Sequence, residues 1–339
     1  MVVPLFLPHL GCESICRYCN QGFITGVGEA RLEEEVKKLA RVPLEGIEIG
    51  LYGGNILGLQ GKELERLFLF LGPWMEKVES IRLSTKPRDL DRDTLDVLKR
   101  YKVRTIELGI PAFNDSILES LGRNHSVKDL LTCYETLKEA GFECALQVMV
   151  GLPQEDFEDV RKTVEYLSLL RPVYVRIYPL VVLKGTALYQ SYLDGEFVPI
   201  SFRDGLRRAL FIYLSCLKEG IKVLSMGLQE GKLLREVVAA GLYHPCFGSI
   251  VKAEAFFQAI FVTLDKAGME GEVEITIGKS DVPHLWGYRR HNIERFERSG
   301  IRVKVKIEEM EKGSFVIRKG GKEIHGLTID ALHSPIFQS

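Results

Sequence analysis

Three cysteines within eight residues, Cys12, Cys16 and Cys19 in a C-x3-C-x2-C run, constrain this chain more than any other feature. The other four, Cys133, Cys144, Cys216 and Cys246, are scattered. Thiolates this close can converge on one metal centre. Cubane iron–sulfur clusters are held by cysteine thiolates, normally four. Three thiolates leave one iron without a protein ligand, and an open coordination position is where a metal centre does chemistry. Two other readings use the same residues. Structural zinc would take His9 as a fourth ligand, although zinc sites usually draw their ligands from two spaced pairs. Leu10-Gly11-Cys12 also mimics a lipidation box, but no basic segment precedes it, and Pro4 and Pro8 interrupt the short apolar stretch.

The chain is long enough, at 339 residues, for one large domain and a small one. Hydrophobic residues make up 46%, which supports a sizeable core and argues against disorder. A net charge of −1 gives no global basic field for nucleic acid or membrane, so any nucleic-acid site must be a local patch. Seven cysteines, an odd number and mostly dispersed, fit a reducing cytoplasm better than a disulfide framework. No apolar run approaches the length of a membrane span, and no repeat or low-complexity tract stands out.

Strand and helix patterns alternate along the first half. Strands are expected at 2–7, 47–51, 80–85, 103–109, 143–150 and 173–178. Helices are expected at 31–41, 64–71 (ending near Gly72-Pro73), 91–101, 115–121, 126–140 and 155–170. Six alternations imply right-handed crossovers and a parallel sheet, short of the eight units of a closed barrel. In such folds chemistry lies at the carboxyl ends of the strands. Residues 180–199 read as a loop, and 203–219, 232–239 and 249–266 as helices. A boundary at Glu270-Gly271 precedes a small tail with strands at 272–277, 301–307 and 314–318 and a helix at 284–299.

The cysteine spacing, with the aromatic Tyr18 before the last cysteine, resembles the signature of the radical S-adenosylmethionine (SAM) superfamily. The resemblance implies an α/β partial (β/α)6 TIM-like barrel, with a helical extension and a small C-terminal α+β module. It divides the chain at 1–200, 201–268 and 269–339. It implies two cofactors: a 4Fe–4S cluster on Cys12, Cys16 and Cys19, and SAM, whose amino and carboxylate groups chelate the open iron. Reductive cleavage of SAM then yields a 5′-deoxyadenosyl radical, with a one-electron reductant of flavodoxin or ferredoxin type as partner. Gly53-Gly54-Asn55 stands where the superfamily has a Gly-Gly-Glu-like segment that contacts the SAM amino group, with a neutral amide in place of the carboxylate. Further positions resemble oxygen-independent coproporphyrinogen III oxidase: Ser84 and Lys86 in Leu83-Ser84-Thr85-Lys86-Pro87, Glu107, Gly109 to Asn114 with Pro111 replacing a glutamine, Arg123 as a clamp for the SAM carboxylate, and Gln147 near the ribose. For each of these, a strand-end residue satisfied by backbone is the plainer alternative.

A closer resemblance is to the radical SAM half of the Elongator catalytic subunit, which modifies wobble uridine in transfer RNA. Its carriers are Leu7-Pro8-His9, Cys19-Asn20-Gln21 with Ile24-Thr25-Gly26, Ser84 to Pro87, Arg176-Ile177-Tyr178-Pro179, Leu183 to Thr186, Gly227-Leu228-Gln229 and His244 to Gly248, within residues 1–268. No acetyltransferase domain is expected in the chain. The tail from Leu285 resembles a KH-type unit whose G-x-x-G loop has Arg290 at the second glycine. Trp286, Tyr288, Arg289 and Arg290 are its candidate RNA contacts, within a stretch (284–306) holding seven Arg or Lys against two Glu. The alternative is a solvated basic helix with Trp286 packed on the barrel. Cys246 reads as a buried, inert cysteine, and Lys184 as a substrate-facing or a solvated loop lysine. The resulting function is a cytoplasmic radical SAM enzyme acting on RNA, with transfer RNA the leading substrate and no membrane partner. A metabolite or tetrapyrrole substrate, and a non-catalytic RNA-binding protein with a structural metal, stand as alternatives.

Overall fold

The structure, a computed structural model, describes residues 1–25, 32–41, 45–59 and 61–337. The first half alternates as β1 (Val2–Phe6), α1 (Gln21–Thr25), α2 (Leu32–Val36), β2 (Glu48–Tyr52), α3 (Lys62–Met75), β3 (Ser80–Thr85), α4 (Arg92–Arg100), β4 (Val103–Gly109), α5 (Asp115–Ser120), α6 (Val127–Glu139), β5 (Glu143–Val150), α7 (Phe157–Leu170) and β6 (Val175–Pro179). There follow β7 (Val181–Leu183), α8 (Ala187–Leu193), α9 (Phe202–Lys218), β8 (Val223–Met226), α10 (Lys232–Val237), β9 (Val238–Gly241) and α11 (Phe247–Ala267). The tail holds β10 (Gly271–Gly278), α12 (Val282–Trp286), α13 (His291–Arg298), β11 (Ile301–Glu308), β12 (Ser314–Lys319) and β13 (Lys322–Leu327). Several helices begin on a side-chain cap, among them Asp91, Ser126, Asp156, Thr186 and Ser201; Ser126 and Asp156 form capping boxes. Each cap satisfies a backbone N–H that the first helical turn leaves free.

Seven strands form one parallel sheet in the order β1-β2-β3-β4-β5-β6-β8, curled into a half-barrel with β1 and β8 as its edges. Side chains alternate across it, as the strand period of two demands. Ile81, Leu83, Ile106, Leu108, Leu146, Val148 and Ile177 are fully buried in the core. Arg82, Ser84, Gln147, Met149, Arg176 and Tyr178 face the opposite way into a cavity. The tail sheet runs β11-β10-β12-β13, with β10 and β11 parallel around α12 and α13, and the rest antiparallel. One contiguous apolar cluster extends from Val3 to Phe337, so both sheets share a core through α9 and α11.

The structure differs from the sequence reading in several places. A seventh strand, β8, extends the six expected; it is a four-residue edge strand, half-buried throughout, and its pattern is too short to stand out. Residues 180–199 are not a loop: β7 pairs antiparallel with β9, and α8 follows. The expected helix at 232–239 therefore ends at Val237 and its last residues are strand. Helix α3 runs through Gly72-Pro73 instead of ending there, with Pro73 in its last turn. The expected helix 284–299 breaks at Gly287, where Arg289 and Arg290 take left-handed backbone angles. A fourth tail strand, β13, pairs with β12. The expected helix 31–41 is α2 followed by a 3-10 turn at Leu39–Arg41, and Arg31 lies outside the described residues, as does Gly26. The expectation of no membrane-length apolar segment also needs correcting. Helix α11 is long and apolar enough to cross a membrane, but it is mostly buried and packs against α9 and α12 as a core helix.

Two glycines test the packing. A Cβ on Gly58 would lie 1.9 Å from the Gly11 carbonyl oxygen, whereas one on Gly72, exposed in α3, would meet nothing within 4 Å. Gly58→Ala should therefore destabilise the fold by roughly 1–3 kcal/mol through overpacking, while Gly72→Ala should stabilise it by roughly 0.5–1 kcal/mol through helix propensity. Thermal melting of the two variants checks both signs.

Candidate active site

The half-barrel encloses a cavity of about 840 Å³, bounded by both edge strands, by β5 and by the loops at the carboxyl ends of β1 to β4 and β6. Cys12, Cys16 and Cys19 line it together. They sit on the loop after β1, which is pinned at several points. His9 N–H donates to the Gly53 carbonyl (2.8 Å), and Asn55 N–H donates to the Leu10 carbonyl (2.8 Å). Arg17 donates to Ser191 Oγ (2.7 Å) and to the Ser120 carbonyl (3.2 Å). A Cβ on Gly54 would lie 2.5 Å from the Leu10 carbonyl oxygen, so only glycine lets the turn after β2 press against this loop.

Asn55 ties the pieces together. Its Nδ2 donates to the Gly11 carbonyl (3.2 Å), and its Oδ1 accepts from Thr85 Oγ1 (2.7 Å) and Lys86 N–H (2.8 Å). One buried amide thus joins the cysteine loop to the ends of β2 and β3. Both lone-pair directions of Oδ1 are engaged by these two donors. A glutamate at this position could not donate to Gly11, which gives the amide a physical reason.

Cations crowd the thiols. Arg123 Nη1 approaches Cys16 Sγ (3.5 Å), its Nη2 donates to the Gly109 carbonyl, and Lys86 Nζ donates to the Ser14 carbonyl (3.2 Å). Burial pushes the Cys12 and Cys19 thiols up, Cys19 to about 12. At Cys16 burial acts the same way, but Arg123 and Lys86 outweigh it and the thiol lies below its ordinary value. Neighbouring cations favour thiolate, the ligand form. Arg123 has no carboxylate partner among the described residues, and its Nε and Ser14 Oγ are buried without hydrogen bonds there. Three thiols beside a guanidinium with unused donors suit a thiolate-held metal cluster carrying an anionic ligand. A lone zinc ion suits them less. His9 Nε2, its presumed fourth donor, already accepts the Gln21 N–H (3.1 Å).

Tyr18, Gly53, Gly54, Asn55, Ser84, Lys86, Arg123 and Gln147 all line the cavity. Glu107 does not, and the sequence reading of it as a cofactor contact is corrected. It is fully buried beneath the cavity, accepting from Tyr52 (3.1 Å), Tyr174 (2.8 Å), Gln147 (2.7 Å) and Arg176 (2.7 Å). Its acceptors are saturated, so it orients Gln147 and Arg176. Arg176 and Tyr178, which sequence reasoning left out of the site, line the cavity wall; their place in an inward-facing strand pattern was the available signal. Cys246 is exposed, not buried, because it caps the start of α11 at the surface. Lys184 is exposed beside the Glu236 carbonyl. Trp286 and Tyr288 are also exposed, by 41% and 44%.

A family profile described as "Radical SAM superfamily" matches residues 7–167, and one described as "Radical_SAM C-terminal domain" matches 172–256. The chain belongs to the radical SAM superfamily. Membership brings with it a 4Fe–4S cluster and SAM as cofactors. Among curated relatives, the chain is 30% identical over 199 residues to the heme chaperone HemW of Bacillus subtilis, covering 55% of this chain and 52% of that protein. It is 28% identical over 120 residues to the tRNA uridine(34) acetyltransferase of Methanocaldococcus jannaschii, covering 34% of this chain and 22% of that one. The chain thus spans between 22% and 60% of the length of the curated relatives it matches. The solved structure of Elp3 from Methanocaldococcus infernus shares its fold with a TM-score of 0.54 and 17% identity, over 93% of this chain and 73% of that one.

The Glu107 network yields a stability prediction. Burial alone would raise this carboxyl, but the bonds and charge of Arg176 overcome it and hold its pKa below the ordinary value. A depressed folded-state pKa contributes stability above the unfolded value of about 4.3, lost as pH falls through the folded one. Glu107→Ala should destabilise the protein by about 3–5 kcal/mol at neutral pH, by leaving Arg176 uncompensated. Denaturant melts should show the gap between parent and variant closing at low pH.

Proposed function

We propose that this chain is a radical SAM enzyme whose Cys12, Cys16 and Cys19 hold the cluster, and that its substrate is RNA, with transfer RNA the leading case. The observation that carries the first part is that three thiols, two cations and the unused donors of Arg123 line one cavity at the carboxyl end of the sheet. In this reading Arg123 holds the SAM carboxylate by charge-assisted bonds. Tyr18, Ser84, Lys86 and Gln147 border the bound cofactor, and Gly53 and Gly54 let the cysteine loop seat closely. When bound, cluster and SAM supply a 5′-deoxyadenosyl radical; the protein's part is to position, to exclude water and to hold charge. The partner is a one-electron reductant of flavodoxin or ferredoxin type. A cytoplasmic setting fits seven free cysteines. The division at 1–200, 201–268 and 269–339 belongs to the same proposal.

RNA as substrate is supported by the likeness to a tRNA uridine acetyltransferase and by the fold shared with Elp3. The likeness to a heme chaperone favours a second reading, in which the ligand is a tetrapyrrole. After anaerobic reconstitution the protein should bind about four irons per chain. With a strong reductant it should release 5′-deoxyadenosine from SAM. Cys12→Ala, Cys16→Ala and Cys19→Ala should each lose both. Stoichiometric zinc in place of iron would defeat the reading. Mass spectrometry of nucleosides from a deletion strain then addresses the substrate. An unaltered transfer RNA profile, with tight porphyrin binding, would turn the assignment to the tetrapyrrole.

A further inference from the structure

The seven cations of residues 284–306 are not equally available. Arg295 pairs with Glu254, Arg298 with Glu294, Lys304 with Glu272 and Lys306 with Glu308. Arg289 and Arg290 have no carboxylate partner among the described residues. Each instead lies over an aromatic ring: Arg289 over Tyr288 (5.3 Å) and Arg290 over Trp286 (5.5 Å). Both rings are exposed, Trp286 by 41% and Tyr288 by 44%. Free positive charge and exposed aromatic surface therefore coincide on the five residues 286–290, the end of α12 and the turn into α13.

The turn is rigid by construction. Arg289 and Arg290 both have positive φ (52° and 64°), a conformation that non-glycine residues rarely adopt unless the surroundings hold it. Asn292 fixes it: buried, it donates to the Ala253 and His284 carbonyls (2.8 and 3.1 Å), tying the turn to α11. The aromatic surface continues onto the barrel side. Tyr288 meets His244 edge-on (4.9 Å), and His244 meets Phe202 (6.2 Å), itself exposed. The same segment reaches the cavity wall. Phe247 and Gly248 open α11 and press against Met226 and Gly227, both cavity-lining residues.

We propose that this turn, with His244 and Phe202, is a docking platform for unpaired RNA nucleotides beside the cavity mouth. Trp286 and Tyr288 stack on bases, and Arg289 and Arg290 meet the flanking phosphates. The proposal rests on the RNA reading above and adds where, and in what form, the RNA is held. Unpaired nucleotides are indicated because flat rings can stack only on bases that are not already stacked in a duplex, whose grooves offer phosphate and 2′-hydroxyl contacts instead. Rings already covered by guanidinium groups suit π-faces and anions together.

The test is filter retention of the full chain with transfer RNA, a single-stranded oligouridylate and a duplex of equal length, at several salt concentrations. The parent should prefer the single strand to the duplex. Trp286→Ala and Tyr288→Ala should each weaken single-strand binding by roughly 5- to 150-fold. The double variant Arg289→Ala, Arg290→Ala should flatten the log–log salt slope by about 1.4, the share of two single-strand phosphates. Arg298→Ala with Lys304→Ala removes the same formal charge from ion-paired sites and should leave the slope nearly unchanged. Melting temperatures establish that the variants fold. In a Trp74→Phe background, emission from Trp286 should be quenched by oligouridylate. Undiminished retention by the turn variants, preference for duplex, or equal binding of polyglutamate would overturn the platform while leaving the RNA reading standing. No retention of any RNA by the parent at low salt would instead remove the RNA reading itself.

Discussion

Everything at the candidate site depends on how the cysteine loop seats against the turn after β2. Glycines at 11, 54 and 58 bring two backbones within distances that no side chain would permit. Asn55 then holds them with three hydrogen bonds, reaching Gly11, Thr85 and Lys86. A flexible run of three cysteines would sample many arrangements and lose entropy on binding a metal centre. A run clamped at both ends loses less, which is the general advantage of preorganisation. The amide thus joins the cysteine loop to the ends of β2 and β3.

Charge is distributed by the same logic. Deep in the half-barrel, Glu107 and Glu48 neutralise Arg176 and Arg82, and phenols complete the network. These pairs form a rigid, internally satisfied floor. At the carboxyl ends of the strands the pattern reverses: Arg123 and Lys86 stand beside thiols, with no carboxylate to balance Arg123 among the described residues. A cation with unused buried donors is expensive unless something anionic completes it. The asymmetry between a satisfied floor and unsatisfied strand ends marks where a charged ligand belongs.

Much of this was legible in the sequence, for identifiable reasons. The buried strands announce themselves because parallel strands covered by helices are nearly continuous apolar runs. The three cysteines are legible because cysteine is otherwise sparse. The edge strand Val223–Met226 was not, since four half-buried residues carry no periodic signal. The break at Gly287 was hidden because the apolar spacing of α12 and α13 continues across it. Glu107 was noticed as a charge inside a strand, but its partners lie 40 to 69 residues away and no spacing reveals them. Family position marks Asn55 in the sequence, but its bonds to Gly11, Thr85 and Lys86 span distant segments that no spacing reveals. The exposure of Cys246 likewise depends on where α11 begins relative to the tail.

The central claim is that Cys12, Cys16 and Cys19 hold a cluster whose remaining iron faces the cavity where SAM is bound. Electron paramagnetic resonance of the reconstituted, reduced protein, recorded with and without SAM, tests it most directly. A ligand reaching the open iron must alter the cluster's spectrum, and Arg123→Ala should require more SAM to produce the same change. A spectrum indifferent to saturating SAM, in protein carrying a full complement of iron, would contradict the account.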